Sequence, residues 1–402
     1  EPDEELLVES IALPKVSLPE FNLPVEVESP PTDEATNASD DSPAATAEAG
    51  NGPRGGLIGR AGRRGDALRL GATAESEEAV DRALRWIAAH QQESGGWSFD
   101  LSDCNCDGKC THTGLGVRAT NGATAVALLP FLGAAQTHQS GYHRRTVQAG
   151  LDRLLQDQQP NGSFHEYQGT MYSHGLATLV LCELLAMTQK DNGYRSFSQQ
   201  SKLHRAAQRA VKYIERHQHS GGGWRYIPGD MGDTSVVSCI AMSLQSARMA
   251  GLKVEQRTLD KTGRFLDSVM SDTYGGEYGY QSRMSRPGTS AMGLLTRMYL
   301  GWDRTHPGIV AGVEKLHQVG PSSNNVYFNY YAAQVMHHHG GPRWKAWHPQ
   351  LRDHLVATQE RNGHLQGSWY FDGDIGSRIG GRLYITAFAA MVLEVYYRHM
   401  PI

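Results

Sequence analysis

Basic residues are nearly missing from the first 50 positions of this 402-residue chain, where Lys15 stands alone against thirteen acidic side chains. Aromatics are scarce there too, and eight of the 17 prolines fall before residue 54. Such a segment cannot bury enough apolar surface to offset its chain entropy. An acidic, Pro-rich arm is therefore expected to be disordered. No run of 18 apolar residues occurs anywhere, so no membrane-spanning segment is expected. No secretory leader is recognisable, and the first residue is Glu1 rather than Met. A membrane tether through a missing upstream segment, with an extracytoplasmic location, stays open. The rest of the chain carries 37 basic and 29 acidic residues, a net of +8. Half of that surplus sits at 51–70, where Arg54, Arg60, Arg63, Arg64 and Arg69 face only Asp66. Nothing has the spacing of a nucleic-acid module and no basic stripe is evident, so no nucleic-acid partner is expected.

What the body does have is repetition, the first thing to seek in a chain of this length. Gln91/Gly95/Trp97, Gln158/Gly162/Phe164 and Gln218/Gly222/Trp224 share one spacing, Gln-x3-Gly-x-aromatic. Looser copies are Gly276/Tyr278 in YGGEYGY, Gln318 with Asn325 and Tyr327, and Gln359 with Gly367 and Trp369. Before each lies an amphipathic stretch, such as Val80, Ala83, Leu84 and Ile87. After each lies a uniformly apolar stretch rich in small residues, such as HGLATLVLCELLAM at 174–187. A helix apolar on every side is a buried helix. Six outer-helix, turn, inner-helix units follow. The glutamine would bond the next repeat's backbone, and the glycine would permit the left-handed reversal. An inner layer buried on both sides favours closure, so the expected fold is an all-α (α/α)6 toroid over 73–402. Residues 1–72 are the acidic arm and basic junction.

On these motifs the sequence resembles the squalene-cyclase and protein-prenyltransferase superfamily, over about residues 76–400. It is most similar to single-toroid, squalene-cyclase-like proteins of the planctomycete type, in segments such as TMYSHGLA (170–177) and GDTSVVS (232–238). The resemblance implies a cavity for an isoprenoid or other hydrophobic, polyprenyl-like ligand. Cyclases of that family protonate their substrate with Asp-x-Asp-Asp at the start of an inner helix. The stretch here is Asp230-Met231-Gly232-Asp233, with Gly232 at the proton-donor position. An alkene is a very weak base and needs a strong acid held in an apolar pocket. Cyclase chemistry is thus weakened, with Asp233 the remaining acid and Asp230 its partner. Asp233 reads equally as the N-cap of TSVVSCIAMSL. No Asp-x-Cys of the prenyltransferase type lies in an inner helix.

The inner-helix starts supply the expected cavity lining: Tyr172, Tyr226, Arg286, Asn325, Tyr327, Asn329, Tyr330, Arg382 and Tyr384. Aromatic rings suit an isoprenoid chain and cationic intermediates. The arginines also admit an acidic saccharide, hence a polysaccharide lyase or hydrolase as an alternative. A non-enzymatic, exported binding or scaffold module is another. His174 is a candidate acid or base, or a structural histidine at a helix start.

DCNCDGKCTH, 103–112, is chemically distinct. Cys104, Cys106, Cys110 and His112 offer four soft ligands within nine residues, enough for tetrahedral Zn²⁺. A disulfide, Cys104–Cys110 or Cys106–Cys110, competes. Asp103, Asn105 and Asp107 resemble the start of a calcium loop that lacks its closing acid at Gly114.

Overall fold

The computed structural model describes residue 57 and residues 59–399, except 102, 103, 105, 107, 116, 117 and 189–196, and only the backbone of 197–201. The acidic arm and the Asp103/Asn105/Asp107 calcium reading lie outside the described residues. Two short helices, α1 (Arg60–Gly65) and α2 (Ala67–Leu70), precede twelve longer ones. The outer helices are α3 (Ala74–Ala89), α5 (Arg144–Asp157), α7 (Phe197–Arg216), α9 (Gln256–Val269), α11 (Pro307–Val319) and α13 (Gly341–Thr358). The inner helices are α4 (Thr120–Gly133), α6 (Thr170–Thr188), α8 (Thr234–Met249), α10 (Pro287–Tyr299), α12 (Val326–His339) and α14 (Ser377–Leu393). A last turn, α15 (Val395–Arg398), ends the described chain.

Each inner helix packs on the next, α4 on α6 through to α14, and α14 packs back on α4. The all-α toroid expected from the repeats is thus a closed ring. Closure is written into burial. Outer helices bury one stripe, as α5 does with Val147, Leu151 and Leu154, whereas α4 buries every residue from Asn121 to Gly133. Even α6, long and apolar enough to cross a membrane, is spent here as a ring helix with most of its surface covered.

The turns tie neighbouring repeats. Gln218 Nε2 donates to Gly222 O and to Thr258 O of the next outer helix, both at 2.9 Å. Gln91 reaches Thr146 O at 3.0 Å and Gln158 reaches Ala206 O at 2.8 Å in the same way. In the sixth turn Gln359 Nε2 donates to Ala79 O at 2.8 Å, on α3, which joins the last repeat to the first. Gly367 there has φ +93°, and a Cβ would stand 2.4 Å from Arg82 O. Two requirements converge on glycine: a left-handed reversal and backbone contact with the neighbouring helix. The indole nitrogens of Trp97, Trp224 and Trp369 donate back to Ile87 O, Ile214 O and Leu355 O at 2.7–2.9 Å.

Two copies depart from the pattern. In the fourth, where no glutamine stands, the Asp272 carboxylate accepts from Gly276 N and Glu277 N at 3.1 and 3.0 Å. In the fifth, Gln318 bonds Glu314 of its own helix at 3.0 Å instead of the next repeat. Tyr327, the expected turn aromatic, lies inside α12 and points to the axis.

The basic junction packs against the ring. Arg60 is buried, and its guanidinium donates to both Glu183 oxygens at 2.7 and 3.0 Å. Arg398 donates to the same carboxylate at 3.3 Å and to Leu129 O at 2.6 Å. Glu183 lies on α6, so helices from both chain ends close one end of the ring. Arg398 and Arg60 hold the Glu183 carboxyl below its usual range against the opposing pull of burial. Arg64 pairs with Glu77 and Asp81.

Two predictions follow from packing. Gly367→Ala should cost more than about 2 kcal/mol, because a strained φ is added to a backbone clash. Gly320→Ala has φ +73° but nothing within 4 Å, and should cost only about 1 kcal/mol. Urea unfolding of the pair checks the difference. The second concerns pH. Burial depresses His174 to about 3 and His337 to about 4, and holds His348 and His399 well below their ordinary value. Folded pKa values below the unfolded one mean that the unfolded chain binds more protons, so stability rises with pH. This contribution is present above about pH 6.5 and is lost as pH falls toward 4. The carboxyls of Asp374, Asp233, Glu166, Glu77 and Glu394, all raised by burial, run the opposite way and offset part of this contribution. Because buried histidines of this kind are the larger set among the described residues, unfolding free energy should fall between pH 7 and 4.5, measured by denaturant titration at each pH.

Candidate functional site

The inner helices present their N-termini at one end of the ring, and neighbouring loops complete them. Glu166 accepts from Asn121 N and Gly122 N at the start of α4 at 3.0–3.3 Å. Met171 N of α6 donates to Tyr226 O at 3.0 Å, and Thr234 N of α8 donates to Tyr280 O at 3.0 Å. Asp374 Oδ2 accepts from Val326 N of α12 at 2.6 Å. Each loop is thus fixed by the preceding inner helix, and the loop tyrosines Tyr226 and Tyr280 are held over the mouth.

Asp233 sits at the centre of this arrangement, fully buried. Its Oδ1 accepts from Ser235 N at 3.0 Å, Val236 N at 2.9 Å and Ser235 Oγ at 2.6 Å, so it caps α8. Its Oδ2 lies 3.8 Å from Arg225 Nε. Burial pushes the carboxyl up, while Ser235, Val236, Tyr280 and Arg225 pull it back, and the net shift is upward. One oxygen thus caps the helix, while Oδ2 is turned toward Arg225. Asp230 does not join it. That residue is exposed, its amide turned back to Ile227 O. Gly232 is locked: a Cβ there would meet Gly223 Cα at 2.6 Å and Phe265 at 2.9 Å. The Phe265 ring could shift, but the Gly223 backbone leaves no room for a carboxylate.

Around Asp233 the aromatic rings run across the ring axis. The hydroxyls of Tyr226 and Tyr280 hydrogen-bond each other. Tyr172 lies 6.3 Å from Tyr226 between centroids, and its hydroxyl is 3.3 Å from that of Tyr327. Tyr172 is on α6 and Tyr327 on α12, third neighbours in a ring of six, so this contact spans the axis. Tyr327 packs on Tyr331, Tyr384 and Phe388 at 5.1–6.5 Å. Tyr330 lies on Phe388 at 5.0 Å and reaches Met242 Sδ at 3.8 Å. Burial holds these phenols neutral, their pKa values raised. Tyr280, Tyr331 and Phe388 were not singled out from sequence. Tyr331 and Phe388 follow Tyr327 and Tyr384 by four residues, the helical spacing that would have found them.

Other expected lining residues are spent elsewhere. His174 Nδ1 accepts from Phe164 N at 3.0 Å and Nε2 donates to Ala210 O at 3.1 Å, so both nitrogens hold the second turn. Neither is left for acid–base work. Asn325 caps α12 through Phe328 N at 2.8 Å. Asn329 clasps Ser322 N and O, both at 2.8 Å. Arg286 stands at the N-cap of α10. Arg382 is buried and holds Thr111 O, Ser368 Oγ and His112 Nδ1 at 3.0–3.2 Å.

The cysteine loop has a different fourth partner from the one its spacing implied. His90, Cys104, Cys106 and Cys110 bring one nitrogen and three sulfurs within 4.8 Å of one another. His112 is absent from this cluster. Its ring stacks on Tyr370 at 4.1 Å while Nδ1 faces Arg382. None of the three cysteines is joined in a disulfide. A surface groove of about 590 Å³ on α7 is lined by Arg205, Arg209, Lys212 and Arg216, a basic stripe that composition did not reveal. Lys212 there is paired with Glu215 and Glu255.

The family model of the squalene-hopene cyclase C-terminal domain matches residues 66–179. A squalene-hopene cyclase of Schizosaccharomyces japonicus is 33% identical over 115 residues, 27% of this chain and 16% of that protein. The match thus spans a small part of that relative. Among solved structures, a type II terpene cyclase from Scytonema bound to merosterolic acid A, its product, aligns with a TM-score of 0.53 at 13% identity. It covers 81% of this chain and 96% of that one. The same cyclase with geranylgeranyl dihydroxybenzoate, its substrate, gives 0.51 at 12% identity, covering 80% and 96%. At such identity the likeness is one of fold. Sequence match and ring architecture together support placing the chain in a squalene-cyclase-like superfamily.

Proposed function

We propose that the protein binds an isoprenoid or similarly extended apolar chain at the axial, tyrosine-lined mouth of the ring. The observation that carries the reading is Asp233: a buried carboxyl of raised pKa, facing tyrosines, at an inner-helix start. Aromatic faces suit an alkenyl chain and any cation formed on it. A carboxyl in such surroundings, when protonated, can hand its proton to a bound alkene or epoxide. The geranylgeranyl group on the Scytonema enzyme's substrate is a ligand of this shape. A second reading, binding without turnover, is favoured by Gly232. Its contact with Gly223 leaves Asp233 without the neighbouring acid of the family motif. The polysaccharide reading loses one of its two arginines, because Arg382 is committed to the cysteine loop.

Asparagine caps helices about as well as aspartate, whereas alanine does not. Asp233→Asn should therefore leave stability within about 1 kcal/mol, while Asp233→Ala loses about 1–2 kcal/mol. Any product formed from squalene, its epoxide or C20 polyprenyl substrates should vanish in the Asn variant. Turnover that survives it would remove Asp233 from the chemistry. Binding is measured separately, by titrating squalene and C20 polyprenols against protein fluorescence. Tyr327→Ala should weaken it about fivefold to tenfold through lost ring contact, while Tyr142→Ala, on an exposed loop, should not. No saturable binding of any such chain would sink the reading.

A further inference from the structure

The cluster at the cysteine loop takes no part in the axial site, yet its geometry is that of a metal centre. We propose that His90 Nε2 and the sulfurs of Cys104, Cys106 and Cys110 bind one zinc ion that staples this loop to the seam of the ring.

The donor set is three thiols and an imidazole, the soft ligands that select zinc among divalent ions. The Cys104 and Cys110 sulfurs stand 3.8 Å apart. A disulfide needs about 2.05 Å. A tetrahedron with metal–sulfur bonds of about 2.3 Å has sulfur–sulfur edges of roughly 3.8 Å. His90 is prepared for ligation. Its Nδ1 donates to Trp86 O at 2.6 Å, which fixes the tautomer and leaves Nε2 as the unprotonated nitrogen that can take a metal. Metal-bound histidines are oriented by such a second hydrogen bond. Its ring packs against the Trp86 indole, with centroids 3.9 Å apart and planes tilted by 31°, so it is held in place before any ion arrives.

Charge also balances. Binding Zn²⁺ replaces three S–H protons, which pass to solvent, and leaves the centre with a net charge of −1. Arg382 is close enough to Cys110 to feel its charge, and it already holds Thr111 O and His112. Four protein ligands leave no open position, so the role is structural rather than catalytic.

Position gives the ion its purpose. The loop joins α3 to α4 in the first repeat. Its far side is fastened to the sixth, where Arg382 N donates to His112 O at 2.8 Å. His364, in the sixth turn, brings Nε2 within 3.3 Å of both Cys110 Sγ and His90 Nε2. The ion would thus bind where the first and last repeats meet.

The test is the metal content of the full chain, purified without chelators and measured by plasma mass spectrometry. About one zinc per chain is expected, with X-ray absorption showing three sulfurs and one nitrogen. Cys110→Ser and His90→Ala should lower zinc at least fivefold, and His112→Ala and His364→Ala should not. Removing zinc with a chelator should lower the melting temperature. The proposal fails if the wild-type chain carries no stoichiometric metal, or if its mass is two hydrogens low, which marks a disulfide. It also fails if His112→Ala loses the metal while His90→Ala keeps it. Should a variant not fold, the wild-type stoichiometry and absorption spectrum decide alone.

Discussion

Closure of the inner ring is the constraint on which everything else depends. An inner helix such as α4, buried along its whole length, has no stable place in an open hairpin. Only when α14 meets α4 does each inner helix gain neighbours on both flanks. The Gln359 amide, bonded to Ala79 O on the first outer helix, is the polar counterpart of that apolar closure. The chain ends make the same junction from another side, through Arg60 and Arg398 on Glu183. A buried carboxylate shared by two guanidiniums is no great source of net stability, but removing one partner leaves a stranded charge. Its effect is to specify which ends meet.

Closure also makes the two ends of the ring chemically unlike. At the end where inner helices finish, Arg60, Arg398, Glu183 and Glu394 are packed without solvent. Burial pushes the Glu394 carboxyl up, against the pull of the neighbouring Arg398. At the end where inner helices begin, backbone N–H groups need partners. Loops supply them through Glu166, Asp374 and carbonyls of Tyr226 and Tyr280. The supports that finish the helices therefore deliver phenol rings to the mouth.

The ring itself was legible in the sequence because its cause is periodic: glutamine, glycine and aromatic recur at turns, and apolar faces recur between them. The site was legible only where one residue acts locally. Asp233 as an N-cap could be read from its neighbours. The partners of His174, Arg382 and Asn329 could not, since an inner-helix start looks the same whether its side chain points to the axis or back to a turn. Glu183 meets arginines 123 residues before it and 215 after it, a distance no pattern encodes. The fourth member of the cysteine cluster fails for the same reason. His112 stands two residues after Cys110, but chain direction carries it to Arg382. His90 arrives from the end of an outer helix, 14 residues before Cys104.

The departure at Gly232 shows how packing and chemistry compete for one position. In this chain residues 223 and 232 approach so closely that a Cβ on either would stand 2.6 Å from the other's Cα. Gly223 belongs to the turn that places Trp224 in the core, and Gly232 to the loop that leads into α8. Bringing them together fastens the turn to the helix start and fixes Asp233 as the cap. A proton donor at 232 would push these segments apart. The backbone contact and the second carboxyl are therefore alternatives. This chain has the contact, so any acid function falls on the residue that already holds the helix. A group with both duties keeps one oxygen engaged in the cap, which leaves Oδ2 as the atom from which a proton could leave.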